Sequence, residues 1–519
     1  MREVLTLQLG QTANYVGTHF WNTQEEYFSY GSGDNDSKPK DLDHDVLYRA
    51  GMTPTGIETY TPRVLVYDLK GAFGSLQKYN SLFSDTRDTS KNIAWDQGVD
   101  TVVSEPNAMN AYQQSLDSEN AMDIDASYDL DTTVQNWSDY NRIFYHPRSM
   151  NQIMTHHAVD SIMPFDAYPV GRQSYKDFEK ETETFDDNFR FFAEECDNLQ
   201  GFQIFADIDD AFGGFTEGLL RDIKEEYPKT PIILYGLQSS KLPNKERARQ
   251  VIAVNRGISM ARLSDLSTLY IPLYTPSPLS LRSSELSPYI LPNCNLMYHT
   301  SAIISAAIET VSLSFRIKNN AVSMADLAGK MTSQESTAIA GLSISSPLPV
   351  LRQGFEATLE QFKNNLVPLL DLTKSHPDKH VSDAFVEDVV VRGLPRATGH
   401  ALFNYVQALY HKFPRAEPRL LDNIPYPLPS SYPKFFTPAV GADGLLSSQL
   451  RPALEAVQSI PLLTRMYTGP ELRPELLQVI KQFENAPLRQ LTEYSEGFTQ
   501  ADYLETKEDL WRLHDAFSE

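Results

Sequence analysis

The chain has 519 residues and a formal net charge of −23 at pH 7, with 45 Lys and Arg against 68 Asp and Glu. So acidic a chain repels phosphate backbones and anionic lipid headgroups, which argues against general binding to nucleic acids or membrane surfaces. Two cysteines, Cys196 and Cys294, exclude a disulfide framework and a cysteine-rich zinc module, and they favour a reducing compartment.

No membrane or targeting segment is expected. No apolar run approaches the roughly 18 residues that a membrane-spanning helix needs. The polar N-terminus predicts neither a secretory signal nor a transit peptide, so any association with an organelle is expected to be peripheral and from the cytosolic side.

The first 320 residues or so predict strands that alternate with helices. Residues 3–9 alternate apolar and polar side chains and predict a strand, which ends at Gly10 before a helix over 14–27. Further strands are predicted at 63–68, 201–207, 231–237 and 266–273. Further helices are predicted at 175–197, 212–227, 247–265 and 295–316, and the phenylalanines of the first of these are expected in the core. This alternation predicts an α/β fold with a mostly parallel sheet and flanking helices.

Polar segments interrupt this pattern. Residues 31–61 are expected to form a surface loop, 84–136 are polar and acidic, and 117–131 are predicted to be a flexible excursion because they hold no Lys or Arg.

The C-terminal part has a different character. A helix at 324–331 and a strand at 338–344 are predicted, and proline-rich joints follow at 414–438. Helices are predicted at 445–459, 471–484 and 500–517. We therefore expect three units: a first domain at 1–318 with inserts at 28–61 and 77–136, an intermediate α+β domain at 319–440, and a C-terminal helical region at 441–519.

Three segments, in chain order, resemble tubulin. MREVLTLQLGQTANYVGTHFW (1–21) resembles its opening strand, first nucleotide loop and first helix. PRVLVYDL (62–69) resembles the strand before the second loop. LQGFQIFADIDDAFGGFTEGLLRDIKEEYPK (199–229) resembles the strand, glycine-rich signature and helix that follow.

Together with the cluster WSDYNRIFYHPRS (137–149), the pattern is similar to the Misato family of tubulin-like proteins. This resemblance implies a tubulin/FtsZ-like fold. It also implies a nucleotide loop at the first helix, on whose positions four residues fall: Gly10, Gln11, Asn14 and Gly17.

The sequence departs from the phosphate-binding loop that the resemblance implies. Tubulin-like GTPases hold phosphates on a glycine-rich loop, because glycines let backbone N–H groups approach the anion. Here Asp209 and Asp210 stand where glycines would meet phosphates, and Phe212 precedes the remaining Gly213 and Gly214. Each like-charge contact near 4 Å costs about 4 kcal/mol at an effective dielectric of about 20. A Mg²⁺ ion held by the two aspartates is the alternative in which phosphate would still bind.

Other parts of the implied site are also altered. Asp68 keeps the acid after the second strand, Lys70 replaces the second acid, and 84–136 lacks the third loop's Ala-Gly-Asn-Asn segment. In the segment that supplies a water-activating acid in tubulins, Asp326 is kept but Gly329 stands in place of that acid, and glycine cannot polarise water. We predict no GTP hydrolysis, no tight GTP binding, no cofactor and no metal. The implied nucleotide site is vestigial and consists of Gly10, Gln11, Asn14, Asp68, Asp209, Asp210, Gly213 and Gly214.

The segment 137–149 concentrates aromatic and basic residues in an acidic protein. One interpretation is a binding patch for an acidic partner segment, because Arg and Tyr are frequent hot spots of protein interfaces. The other is structural: Arg148 pairs with Asp139, and the aromatic side chains fill a gap over the sheet. The candidate partner patch consists of Trp137, Tyr140, Arg142, Tyr145, His146 and Arg148.

The resemblance implies a function without catalysis. A Misato-like protein would be cytoplasmic, associate peripherally with mitochondria, and act in mitochondrial distribution, morphology and partitioning of mitochondria and mitochondrial DNA. An assembly factor for microtubules that contacts tubulin or chaperonin is the first alternative, and a GTP-binding switch or GTPase is the second. The expected partners are proteins, namely tubulin, chaperonin or proteins of the mitochondrial outer surface, and not nucleic acid.

Overall fold

The computed structural model of the chain describes residues 2–517 except 29–40, 53–55, 57, 81, 84–106, 118–127, 161, 333–337, 362–367, 376–383, 410–418, 422–423, 448, 454, 488–490, 492–493 and 495–496. Most of the predicted loop at 31–61 lies within the described part, whereas most of the acidic stretch at 117–131 lies outside it.

The described strands are β1 Glu3–Leu9, β2 Tyr48–Met52, β3 Glu58–Pro62, β4 Val64–Lys70, β5 Met150–His157, β6 Leu199–Asp207, β7 Ile232–Gln238, β8 Leu269–Tyr274, β9 Gly341–Ser345, β10 Leu370–Asp371, β11 Val386–Arg392, β12 Arg419–Leu421, β13 Tyr426–Pro427, β14 Ser459–Ile460 and β15 Leu462–Thr468.

The described helices are α1 Gln11–Glu25, α2 Ala111–Asp117, α3 Leu130–Thr133, α4 Tyr168–Thr182, α5 Arg190–Glu194, α6 Phe212–Glu226, α7 Glu246–Leu266, α8 Pro278–Ser283, α9 Met297–Ser312, α10 Met324–Met331, α11 Phe355–Gln361, α12 Arg396–Leu409, α13 Arg473–Asn485 and α14 Gln500–Asp515. None of them combines the length and the apolar character needed to cross a membrane.

A six-stranded parallel sheet organises the first part of the chain, in the order β5-β4-β1-β6-β7-β8. The inner strands of this sheet are buried on both faces, which explains why β4 and β7 are nearly continuous apolar runs. The chain extends the sheet from β1 first towards β5 and then, from β6, in the opposite direction. The topological switch point therefore lies between β1 and β6, where α/β folds bind ligands at the carboxyl ends of the strands.

Helices cover both faces of this sheet. α1 and α9 pack against each other on one face, and α4, α6 and α7 form the layer on the other. The phenylalanines at 178, 185, 189 and 192 are buried in that second layer, as predicted. The predicted α/β class, with its mostly parallel sheet and flanking helices, is confirmed.

A second, mixed sheet follows in the order β10-β9-β15-β11-β12. At its centre β15, fully buried, pairs antiparallel with β9 and β11. The helix predicted at 445–459 is wrong: the described residues there hold no helix and end in β14, and Pro452 in the middle of the segment opposes one. The helices predicted at 471–484 and 500–517 are confirmed as α13 and α14.

The start of one helix, one hairpin and one strand also differ from the sequence prediction. The first helix begins at Gln11 rather than at residue 14, directly after Gly10. Part of the segment predicted as a loop at 31–61 is the antiparallel hairpin of β2 and β3. The edge strand β5 was not predicted, because half of its side chains are solvent-exposed and its sequence is polar.

Candidate functional site

The candidate site lies at the switch point, where β1 and β6 end and α1 and α6 begin. Gly10 links β1 to α1 with a φ of 106°, a left-handed conformation that favours glycine. A Cβ at Gly10 would lie 2.7 Å from the Asp207 Cγ, so the end of β6 is in direct contact with this turn. The two loops that would cradle a phosphate therefore touch each other.

A carboxylate of the protein itself occupies the N-terminus of α1. Asp207 accepts hydrogen bonds from the backbone N–H groups of Thr12, at 2.8 Å, and Ala13, at 2.9 Å. First-turn N–H groups have no partner within their own helix, and they are the donors with which a helix N-terminus binds an anion. The sequence prediction missed Asp207, because this residue is the last of β6 and only the loop after the strand was expected to bind.

Asp209 is neutralised by a buried arginine. The Arg256 Nε and Nη2 donate to its two carboxylate oxygens at 2.7 and 2.9 Å, and the Ser239 backbone N–H donates to it at 2.7 Å. Arg256 also donates to the Ser239 carbonyl and lies over the Tyr274 ring. The prediction that Asp209 presents a free negative charge to a phosphate is therefore wrong. Nothing in the local sequence of Arg256 pairs it with Asp209, which lies 47 residues earlier in the chain.

Asp210 caps the other helix of the site. Its Oδ1 accepts from the backbone N–H of Phe212 at 2.9 Å, in the first turn of α6. Burial raises the pKa of Asp210 to about 7. Burial and the neighbouring Asp210 carboxyl also raise the pKa of Asp207 well above its usual range. The pair therefore retains protons at pH values where exposed carboxyls have lost them.

Asp68 joins two sets of residues that the sequence analysis kept apart. Its Oδ2 accepts from the Asn14 Nδ2 at 2.8 Å and from the Trp137 Nε1 at 3.0 Å, and its Oδ1 accepts from the Leu69 backbone N–H. Burial raises the pKa of Asp68 to about 6, against the effect of these donors. A predicted nucleotide-binding acid and a predicted partner residue thus form one internal hydrogen-bonded cluster.

The remaining glycines of the loop serve helix packing. A Cβ at Gly214 would lie 2.0 Å from the Tyr168 carbonyl oxygen in α4, and a Cβ at Gly213 would lie 2.4 Å from the Ser259 Oγ in α7. Phe212 is buried against Phe165 instead of crowding a phosphate cradle. Of the predicted nucleotide residues, Gln11 is exposed at the edge of the site.

The aromatic members of the candidate partner patch are core residues. Trp137, Tyr140 and Tyr145 are at most 2% exposed, so they offer no surface to a partner. This part of the patch is corrected, and the interpretation that the aromatics fill a gap over the sheet is confirmed.

The polar members have internal partners. Arg142 forms an ion pair with Glu26, His146 stacks on Phe191, and Arg148 donates to the Asp187 carbonyl oxygen. The expected pair between Arg148 and Asp139 is wrong. The Asp139 Oδ2 instead accepts from the backbone N–H groups of residues 135 and 136, at the start of its own turn.

Comparisons with known proteins place this architecture in a family. The Misato Segment II tubulin-like domain matches residues 2–118, and the Tubulin domain matches residues 127–317. Protein DML1 of Gibberella zeae is 38% identical over 317 residues, which are 61% of this chain and 61% of that protein. Protein dml1 of Aspergillus clavatus is 40% identical over 326 residues, again 61% of each.

The match therefore spans 61% of the length of these fungal relatives. Protein misato homolog 1 of Bos taurus is 29% identical over 561 residues, which cover 99% of this chain and 97% of that protein. The fold, the two domain matches and these relatives show that the chain belongs to the Misato/DML1 family with tubulin-like domains.

Proposed function

We propose that this protein is a non-enzymatic, tubulin-like factor that acts through protein surfaces in mitochondrial distribution, morphology and partitioning of mitochondria and their DNA. It binds no nucleotide tightly and hydrolyses none. It works in the cytoplasm, in peripheral association with mitochondria. The mitochondrial role rests on membership of the Misato/DML1 family, and the absence of catalysis rests on the geometry of the switch point.

One observation supports the absence of nucleotide chemistry most directly. Asp207 takes the two α1 amides that a phosphate would need. Hydrogen bonds between uncharged groups contribute about 0.5–1.5 kcal/mol each, so displacing the Asp207 carboxyl, which burial keeps protonated, costs about 1–3 kcal/mol. At about 1.4 kcal/mol for each tenfold change, phosphate affinity is weakened by about fivefold to a hundredfold.

The residues expected to activate water support the same conclusion. Gly329 lies on α10 and, as a glycine, has no side chain with which to polarise water. Asp326 belongs to the cap of its own helix, since the Ser323 Oγ donates to it at 2.6 Å and accepts from its backbone N–H.

Calorimetric titration of the purified full chain with GTP and with GDP, each with Mg²⁺, tests this part of the proposal. We expect no saturable heat for a Kd tighter than about 1 mM. The matched variant Asp207→Gly frees both amides and should bind phosphate groups more strongly than the wild type does. Micromolar GTP binding by the wild type would contradict the proposal and favour a GTP-dependent switch.

A rescue experiment tests the cellular role. In cells depleted of this protein, wild type and Gln11→Ala should both restore mitochondrial distribution and mitochondrial DNA content, because the exposed Gln11 has no nucleotide to contact. Failure of a stably expressed Gln11→Ala would show that a ligand at this edge is needed. Microtubule loss that precedes the mitochondrial defect would favour the alternative, an assembly factor for tubulin.

A further inference from the structure

A cleft of about 550 Å³ opens at the carboxyl edge of the six-stranded sheet, beyond β7 and β8. The loop after β7, helix α8 and the segment before α9 line it. Leu281 and Ile290 contribute buried apolar side chains, and Lys241 and Arg282 contribute exposed basic ones. Volumes of about 300–1,000 Å³ are typical of sites that bind compact ligands or a few side chains.

The two charged residues that line this cleft, Lys241 and Arg282, are both basic, and Lys241 begins a basic segment. The segment 241–249 contains four basic residues and one acidic residue, although the chain as a whole carries −23. Lys241 faces the cleft and reaches the Asn295 Oδ1 at 2.9 Å. The next residue, Leu242, lines a second cleft of about 270 Å³ between α7 and α13. The basic segment therefore runs between two concave surfaces.

Leucine side chains are exposed beside these cations. Leu242 is 40% exposed, Leu279 is 56% exposed and Leu291 is 68% exposed. Leu291 lines the first cleft, Leu242 lines the second, and Leu279 follows Pro278, which lines the first. Exposed apolar side chains beside concave surfaces and basic residues are typical of a surface that binds a partner.

We propose that this surface, the basic–apolar rim formed by Lys241, Leu242, Leu279, Arg282 and Leu291, binds an acidic peptide segment of a protein partner that also carries apolar side chains. The net negative charge of the protein repels an acidic segment, whereas the basic residues of the rim attract it. Electrostatic complementarity therefore favours an acidic partner at this surface. The two clefts receive the apolar side chains. The rim shares none of its five residues with the carboxylates at the switch point, so this proposal and the proposed function can fail independently.

Selection from a random peptide library displayed on phage, against the immobilised full chain, tests the proposal. We expect the enriched peptides to combine Asp or Glu with Leu, Ile, Phe or Met. Synthetic versions should bind in fluorescence anisotropy and weaken as salt is raised. The double variant Lys241→Glu with Arg282→Glu should weaken binding at least about tenfold.

Two further variants separate local from general effects. Leu291→Ser, at a side chain that is already largely exposed, should weaken binding without changing the unfolding temperature. The matched control is Lys176→Glu with Lys180→Glu, which reverses two exposed charges on α4 at positions that line neither cleft, and should leave binding unchanged.

Several results would overturn the proposal. They are the enrichment of neutral or basic peptides, the enrichment of none, and equal loss of binding in the rim and control variants. Sedimentation that reveals a dimer, dissociated by Lys241→Glu with Arg282→Glu, would show that a second copy of the chain covers the rim in place of a partner peptide.

Discussion

Removing the negative charge of Asp209 should destabilise the protein and should not create a site that binds phosphate. Asp209 and Arg256 form a two-pronged ion pair in which the side chains are 19% and 5% exposed. Removing one partner of a buried pair costs about 3–5 kcal/mol, because the other charge is left without compensation. Since Asp209 retains some contact with solvent, we expect Asp209→Asn to lower the free energy of unfolding by about 3 kcal/mol.

A double-mutant cycle isolates the pair. Arg256→Met keeps most of the apolar stem, and we expect it to cost about 2–3 kcal/mol. The combination of Asp209→Asn with Arg256→Met leaves no unpaired charge, so it should cost clearly less than the two single changes together, with a coupling of about 2 kcal/mol. If Asp209 and Arg256 were each stabilised mainly by other neighbours, the two losses of unfolding free energy would simply add.

Urea unfolding measures the cycle. Tryptophan fluorescence is a suitable signal, because Trp21 and Trp137 are buried in the core of the same six-stranded sheet. The variants should shift the midpoint at constant slope. A coupling below about 0.5 kcal/mol would refute the pairing argument. Saturable GTP binding by Asp209→Gly, with unchanged stability, would refute the view that Asp209 is a structural residue.

Three further predictions concern stability. Because burial raises the pKa of Asp68 to about 6, the folded state holds a proton that the unfolded state releases. This contribution is complete below the ordinary pKa and is lost as the pH rises through 6. The unfolding free energy of the wild type relative to Asp68→Asn, from urea titrations, should therefore fall by about 2 kcal/mol between about pH 4 and about pH 7. Gly214→Ala places a Cβ 2.0 Å from a backbone carbonyl oxygen and should lower the free energy of unfolding by about 3 kcal/mol or more. Gly329→Ala, in open space on a helix, should raise it by up to about 1 kcal/mol, because alanine favours the helix more than glycine does. Thermal unfolding of both variants measures the two effects. Glu309→Gln leaves the fully buried Arg392 without its counter-ion and should lower the free energy of unfolding by about 3–5 kcal/mol. Amide hydrogen exchange should become faster where α9 meets the second sheet and should stay unchanged in remote helices.

The sequence was sufficient for the order and class of the main elements of the first sheet. β4, β7 and β8 are nearly continuous apolar runs because helices cover both faces of the parallel sheet. Their alternation with helical periodicity predicts the α/β class, and the order of tubulin-like segments predicts the family. β5 and β15 escaped prediction for opposite reasons, since the first is a polar edge strand and the second follows a segment with helical composition.

The chemistry at the switch point was decided by tertiary structure. The residue types at 209, 210 and 329 predict the absence of GTP hydrolysis, but the partners of Asp207 and Asp209 are distant in sequence. Asp209 meets Arg256 across 47 residues, and Asp207 meets the α1 amides across about 195 residues. Local sequence constrains backbone propensity and burial pattern, whereas a charge acquires its partner only when the sheet brings strand ends and helix starts together. Composition and periodicity therefore determined most elements of the first sheet, and the packing of those elements determined that the protein's own carboxyl groups accept hydrogen bonds from the helix starts at the switch point.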